Sequence, residues 1–154
     1  MKRKVVVALI SEEQEFQRMQ ATAARAAGAG TIEVEVLFAE ATAILQIQQL
    51  FRHIHAPEEE RPLAIVVEPV AGEGIKRVAR AAVAAGIGWI ALNTREPYLT
   101  ELTELAPTLP IGAVSSDDEE IGRIQGRQLA ALLPKGGAIL YVEGPPQHSA
   151  APAR

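Results

Sequence analysis

The feature that most constrains this fold is a set of apolar runs of strand length, separated by segments of helix length. The runs cover residues 4–10, 32–38, 63–67, 89–92, 111–114 and 138–142. Strands apolar at nearly every position are buried on both faces. Between most of them the apolar residues return at helical spacing. Phe16, Met19, Ala23 and Ala27 share one helical face, and Ile44, Ile47, Leu50, Phe51 and Ile54 form a stronger one. Ile75, Val78, Ala79, Ala82 and Val83 make a third stripe, and Ile121, Ile124, Leu129, Leu132 and Leu133 a fourth. Alternating β and α segments predict a doubly wound α/β fold, a parallel sheet between two helical layers. Right-handed crossovers leave few topologies, and the order 2-1-3-4-5 with a sixth strand following is the one expected.

The chain breakers agree with this division. Gly28 and Gly30 close the first helix, Gly86 the third, and Pro134 with Gly136 and Gly137 the fourth. The acidic stretch at 56–62 is a solvated turn. Residues 94–110 hold either a short helix around 98–106 or an irregular crossover.

With 154 residues, 48% of them hydrophobic, the chain has one domain's worth of sequence and enough apolar content for a core. A net charge of −4 does not suggest a nucleic-acid surface. The sequence has no cysteine, which excludes disulfides and thiolate metal sites. His53 and His55 are a poor metal pair, since a separation of two on a helix turns them to different faces, and both read as surface residues. The apolar run after the basic residues at the start is too short for a signal peptide, and no membrane span is expected. A cytoplasmic location follows as written, or a periplasmic one if a leader has been removed.

Ligands of open parallel sheets bind beyond the carboxyl ends of the strands. The first strand delivers Ser11, Glu12, Glu13, Gln14 and Phe16 there, and the third delivers Glu68. The fourth delivers Asn93, Thr94 and Arg95, and the fifth Ser115, Ser116, Asp117 and Asp118. After the last run come Glu143 and Gly144, with Arg154 a little further on. Hydroxyls, amides, carboxylates and guanidinium groups beside an aromatic ring suit a polyhydroxylated solute. Each polar residue also has a purely structural use, and Ser116 or Asp117 is the expected N-cap of the helix that follows.

These segments resemble the N-terminal lobe of type I periplasmic sugar-binding proteins and of the effector-binding core of lac-repressor-type regulators. The resemblance runs over essentially the whole chain. Its strongest stretch is Val114 to Asp118, then Gly122, Gly126, Leu129 and Leu133, then 138–142 and Gly144. Ser149 to Arg154 resembles the family's first hinge crossing, and Ser11 to Phe16 its sugar-lining loop. The resemblance implies that residues 1–144 are one lobe of a two-lobe binding protein and 145–154 the start of the crossing. By position, Phe16 would stack on a sugar ring, and Gln14 would bond a hydroxyl. Asn93 stands where Asp is frequent, with Thr94 or Arg95 near the family's Arg. Ser116 and Asp117 would line the floor, Ser11 belongs to the same loop, and Arg154 would reach in from the crossing. Gln17 replaces the loop's second aromatic, and Glu15 stands where Pro is usual.

The expected function is therefore non-catalytic binding of a small polar solute, a sugar by resemblance, for transport or sensing, with no cofactor. A second, C-terminal lobe would be the main partner, and the surface it covers would be open to self-association as a homo-oligomer. The alternative is a receiver-like or oligomeric interaction module on the same flavodoxin-like order. Glu12, Glu13 and Thr94 fit a receiver, whereas Glu68 and the absence of a Lys after the fifth strand do not. Nothing pairs a nucleophile with a base, so an enzyme is not expected.

Overall fold

A computed structural model of the chain describes residues 3–70 and 74–142. They form two compact units, Met1–Val114 and Ser115–Arg154. The first unit runs β1 (Arg3–Leu9), α1 (Glu15–Gly28), β2 (Ile32–Phe38), α2 (Ala43–Ile54), β3 (Ala64–Val67), α3 (Gly74–Ala84), β4 (Gly88–Leu92), α4 (Tyr98–Leu105) and β5 (Ile111–Val114). A single 3₁₀ turn at Glu58–Glu60 precedes β3, in the solvated acidic stretch. All pairings are parallel, and the strand order is β2-β1-β3-β4-β5, as the sequence predicts.

The register sets one row of side chains across the sheet: Glu35, Val6, Ile65, Trp89 and Ile111. With their neighbours Ala8, Leu37 and Val67 they meet α2, α3 and α4. Leu50 and Ile54 of α2, the whole predicted α3 stripe, and Tyr98 and Leu102 of α4 are buried in this larger core. The opposite face carries Val5, Val7, Leu9, Val34, Val36 and Val66, packed against Ala21 and Ala24 of α1. Residues 98–105 are thus the short helix rather than an irregular crossover.

Helix α1 turns differently from its apolar pattern. Phe16 and Met19 are exposed, and the buried positions are Gln17, Ala21 and Gly28. The reason is steric. A Cβ on Gly28 would lie 2.4 Å from Val34 Cγ2, so the backbone of α1 approaches β2 more closely than large side chains allow. The small residues at helical spacing face the sheet, and the large ones face outward.

His53 also departs from expectation. It is buried at the end of α2, with Nε2 3.6 Å from Glu35 Oε1, while Lys4 Nζ lies 3.4 Å from Glu35 Oε2. Burial holds its pKa below the ordinary value, against the attraction of Glu35, and Lys4 and Arg52 push the same way as burial. His55 is exposed and stacks on Phe51 with ring centroids 5.2 Å apart.

The second unit holds α5 (Asp118–Leu132). Asp117 Oδ1 accepts the Glu120 N–H at 3.1 Å, which caps the helix, and Asp118, Glu119 and Glu120 favour its N-terminal dipole. Arg123 bridges Glu119 and Glu120, and Arg127 bridges Glu120. The expected sixth strand is not formed. Residues 138–142 have no regular structure, and Leu140 is exposed. The proposed lobe boundary at 144 and the crossing at 145–154 lie outside the described residues.

Candidate functional site

The strand order reverses direction between β1 and β3, so the two chains leave the sheet there to opposite sides and open a crevice at their carboxyl ends. Glu68, the residue after β3, occupies that crevice and is held from both faces of the sheet. From the α1 side, Gln17 Nε2 donates to Glu68 Oε2. From the α2 side, Gln46 Nε2 donates to the Glu68 carbonyl at 2.9 Å, and Gln46 Oε1 accepts the Val70 N–H at 3.0 Å. Both glutamines are almost fully buried, which requires their amides to be satisfied in this way. Gln17 does so at both ends, since its Oε1 accepts the Ile10 N–H at 2.8 Å.

Asn93 joins the same network from the end of β4. Its Nδ2 donates to Glu68 Oε2 at 2.8 Å, and its Oδ1 accepts from Gln20 Nε2 at 3.2 Å. Asn93 has φ 60°, a left-handed conformation that Asn tolerates better than most residues. Its N–H donates to the Val114 carbonyl at 2.8 Å, which fixes the turn to the end of β5. Side chains from α1 and the ends of β3 and β4 thus form one connected amide–carboxylate cluster.

Next to it, a cavity of about 390 Å³ opens at the ends of β1 and β2. Ser11, Glu12, Glu13, Phe38, Glu40 and Ala41 line it. Ser11 is buried and its Oγ accepts the Glu13 N–H at 3.2 Å, while Arg18 Nη1 donates to the carbonyls of Glu12 and Glu13 at 2.8 and 2.9 Å. Glu40 and Ala41 are both left-handed, at φ 49° and 55°, and the Ala41 N–H donates to the Ile10 carbonyl at 2.9 Å. A second groove, of about 380 Å³, runs along α1 over Val5, Val7, Val34, Val66 and Leu92. Its lining is almost wholly apolar, which does not suit a hydroxylated solute.

Of the residues singled out from sequence, Ser11 and Asn93 lie in this crevice. Gln14 occupies the N-cap position of α1 without a side-chain cap bond, and Phe16, 58% exposed, stands on the first turn of that helix. Arg95 is exposed in the turn after β4. Ser116 and Asp117 belong to the second unit, where Ser116 Oγ donates to Asp118 Oδ1 at 3.2 Å and Asp117 is the helix cap. Arg154 lies outside the described residues. Gln17, Gln20 and Gln46 are the residues that sequence reasoning missed, and Glu68 was read only as a strand-end carboxylate. Gln17 falls in register with Ala21, Ala24 and Gly28, so a polar residue on a small-residue stripe was the available signal.

The arrangement offers amides, hydroxyls and carboxylates and no nucleophile paired with a base. Among the described residues no cluster of His, Asp and Glu could hold a metal ion, and no helix is long and apolar enough to cross a membrane.

The sequence matches the periplasmic binding protein domain family over residues 5–154. This chain is a member of that family. Several solved structures share its fold. The periplasmic ribose ABC transporter protein of Conexibacter woesei DSM 14684 is 22% identical with a TM-score of 0.81, over 99% of this chain and 47% of that one. An ABC transporter periplasmic solute-binding protein from Actinobacillus succinogenes 130z, with bound D-allose, is 23% identical with a TM-score of 0.78, over 99% and 52%. A solute-binding protein from Bacillus halodurans C-125, with bound myo-inositol, is 24% identical with a TM-score of 0.72, over 99% and 50%. No curated protein sequence matches the chain. This periplasmic binding protein domain spans about half the length of the solved structures it matches.

Proposed function

We propose that this chain is one lobe of a solute-binding protein that takes a small polyhydroxylated solute, of the sugar class, at the carboxyl edge of its sheet. The observation that carries the reading is the cluster of Gln17, Gln20, Glu68 and Asn93 at the ends of β3 and β4. Buried and half-buried side chains hold its polar groups in fixed positions before any solute arrives. Preorganised donors and acceptors lose less entropy on binding, which suits the crowded hydroxyls of a sugar. Phe16 supplies the apolar surface for one ring face, and Ser11, Gln14 and Arg95 further hydrogen-bonding groups around it. The neighbours with bound D-allose and bound myo-inositol support the solute class.

Residues 1–144 would form this lobe and 145–154 the start of a crossing to a second one, with Arg154 directed at the solute. Two lobes closing by a hinge would then share the contacts, for uptake in the periplasm or for sensing. The test is thermal unfolding of this chain, and of a two-lobe version continued past Arg154, against a panel of neutral sugars and polyols. Binding to the native state alone raises the midpoint. A rise that Phe16→Ala removes supports the proposal. No rise in either version with any solute overturns it.

A further inference from the structure

We infer that Gln46 is a positioning residue of the solute edge: its side-chain amide stands in for a strand backbone and extends the hydrogen bonding of β3 past its last residue, so that Glu68 is presented in one position. This rests on the reading of the edge as a solute site. Gln46 acts from a distance, being 2% exposed in the first turn of α2.

The ladder between β1 and β3 ends at the pair Ala8–Val67, and the Glu68 N–H makes one more bond, to the Ala8 carbonyl at 2.9 Å. Beyond that point Gln46 takes over. Its Nε2 donates to the Glu68 carbonyl at 2.9 Å, and its Oε1 accepts the Val70 N–H at 3.0 Å. A residue in a parallel ladder bonds the facing strand in the same way, at the carbonyl before its opposite number and the N–H after it. The opposite number here is Pro69, which has no N–H and a fixed φ. Such a bridge does not use that N–H, so the proline stiffens the segment and leaves no bond unmade.

The bridge stands on a rigid base. The Ala39 N–H donates to the Leu9 carbonyl at 3.0 Å, the Ala41 N–H to the Ile10 carbonyl at 2.9 Å, and the Gln46 N–H to the Thr42 carbonyl at 3.1 Å. The start of α2 is thus referenced to the end of β1, and Gln46 passes that reference on to residues 68–70. From the other side Gln17 and Asn93 hold Glu68 Oε2. The backbone of Glu68 is therefore set from α2, and its carboxylate from α1 and the end of β4. Groups that contact a ligand need placement to within about 0.5 Å, which locked supporting residues supply.

The experiment compares wild type with Gln46→Met, Gln46→Glu and Ile54→Ala, the last a core variant at the far end of the same helix. It reads hydrogen exchange of the Val70 N–H, and calorimetric affinity for each neutral sugar that raises the unfolding midpoint, on the same two protein versions. Gln46→Met removes both bonds at similar volume. It should expose the Val70 N–H to exchange and weaken sugar binding at least about tenfold, the order of one hydrogen bond. Gln46→Glu keeps the acceptor but turns a second one on the Glu68 carbonyl; once protonated it can donate again. Its affinity should therefore approach that of wild type as pH falls. Ile54→Ala lowers stability through the core and should bind within about threefold of wild type. Loss of affinity in Ile54→Ala to match that in Gln46→Met would make the role structural and overturn the inference, as would a Val70 N–H that exchanges freely in wild type. If Gln46→Met does not fold, the pH dependence of Gln46→Glu decides, and no recovery on acidification overturns the inference. Failure of every neutral sugar to bind, with the Val70 N–H protected, would sink the proposed function instead.

Discussion

Asn93 Nδ2 donates to Glu68 Oε2 at 2.8 Å, which ties the end of β4 to the end of β3 through side chains alone. The bond needs an amide on one side and a carboxylate on the other. It also requires the left-handed turn at Asn93, which the Asn93 N–H stabilises by bonding Val114. The carboxyl edge of the sheet is thus a fixed scaffold across neighbouring strands, not a collection of loop tips.

Replacing that amide with an acid tests the scaffold directly. Asn93→Asp sets a second carboxylate against Glu68 and removes the donor. Two carboxylates this close hold a proton more tightly than either does in the unfolded chain. Such a pair destabilises the fold at neutral pH, and the penalty is relieved as pH falls and the pair takes up a proton. Asn93→Asp should cost about 1.4 kcal/mol or more at pH 7, the free-energy equivalent of a tenfold change in proton affinity. Urea unfolding at neutral and mildly acidic pH checks this, with the gap to wild type narrowing at the lower pH. A gap that widens there would contradict the geometry.

Gln17 satisfies the Ile10 N–H and one side of Glu68 from a position almost sealed from water. Gln17→Leu fills a similar volume but leaves a buried N–H and a carboxylate short of a donor. The expected loss is about 1–3 kcal/mol. The denaturation midpoint measures it, and a neutral result would mean that water replaces the amide.

The sheet order was legible because Val5–Leu9, Ile65–Val67 and Trp89–Leu92 are apolar on both faces, a pattern that only a covered parallel sheet produces. The α3 stripe was legible for the same reason, being apolar at helical spacing throughout. The site was less so. Ser11 and Asn93 follow from strand ends, but Gln17 and Gln46 are buried polar residues, and hydropathy assigns such residues to the surface. Their burial depends on partners 51 and 22 residues away, which no local pattern reveals. Phe16 and Met19 misled for the opposite reason. They are apolar at helical spacing, but both are exposed, and the buried positions of α1 are Gln17, Ala21 and Gly28. The run at 138–142 has strand composition but no regular structure.

The close approach of α1 to β2 gives its own prediction. A Cβ at Gly28 would fall 2.4 Å from Val34 Cγ2, and Val34 is a stiff, β-branched side chain with little room to yield. Gly28→Ala should therefore destabilise by about 1–3 kcal/mol through overpacking, despite alanine's better helix propensity. Val34→Ala removes the clashing methyls and should recover part of the loss. A double-mutant cycle on urea midpoints measures the coupling. Additive effects would show that α1 moves away from β2 instead.

His53 supplies the last test. Burial lowers its pKa from the ordinary value of 6.5, and Glu35, at 3.6 Å, only partly offsets this. The unfolded chain then takes up a proton at a higher pH than the folded one does. The stability contributed by neutral His53 is fully present above 6.5 and is lost as pH falls from there through the lowered folded value. Lys4 and Arg52 reinforce that direction. The thermal midpoint should therefore drop on acidification below 6.5, before most carboxylates titrate. His53→Gln cannot take up the proton and should flatten the profile in that window. If wild type instead gains stability on acidification there, attraction to Glu35 outweighs burial, and the protonated pair is the stable form.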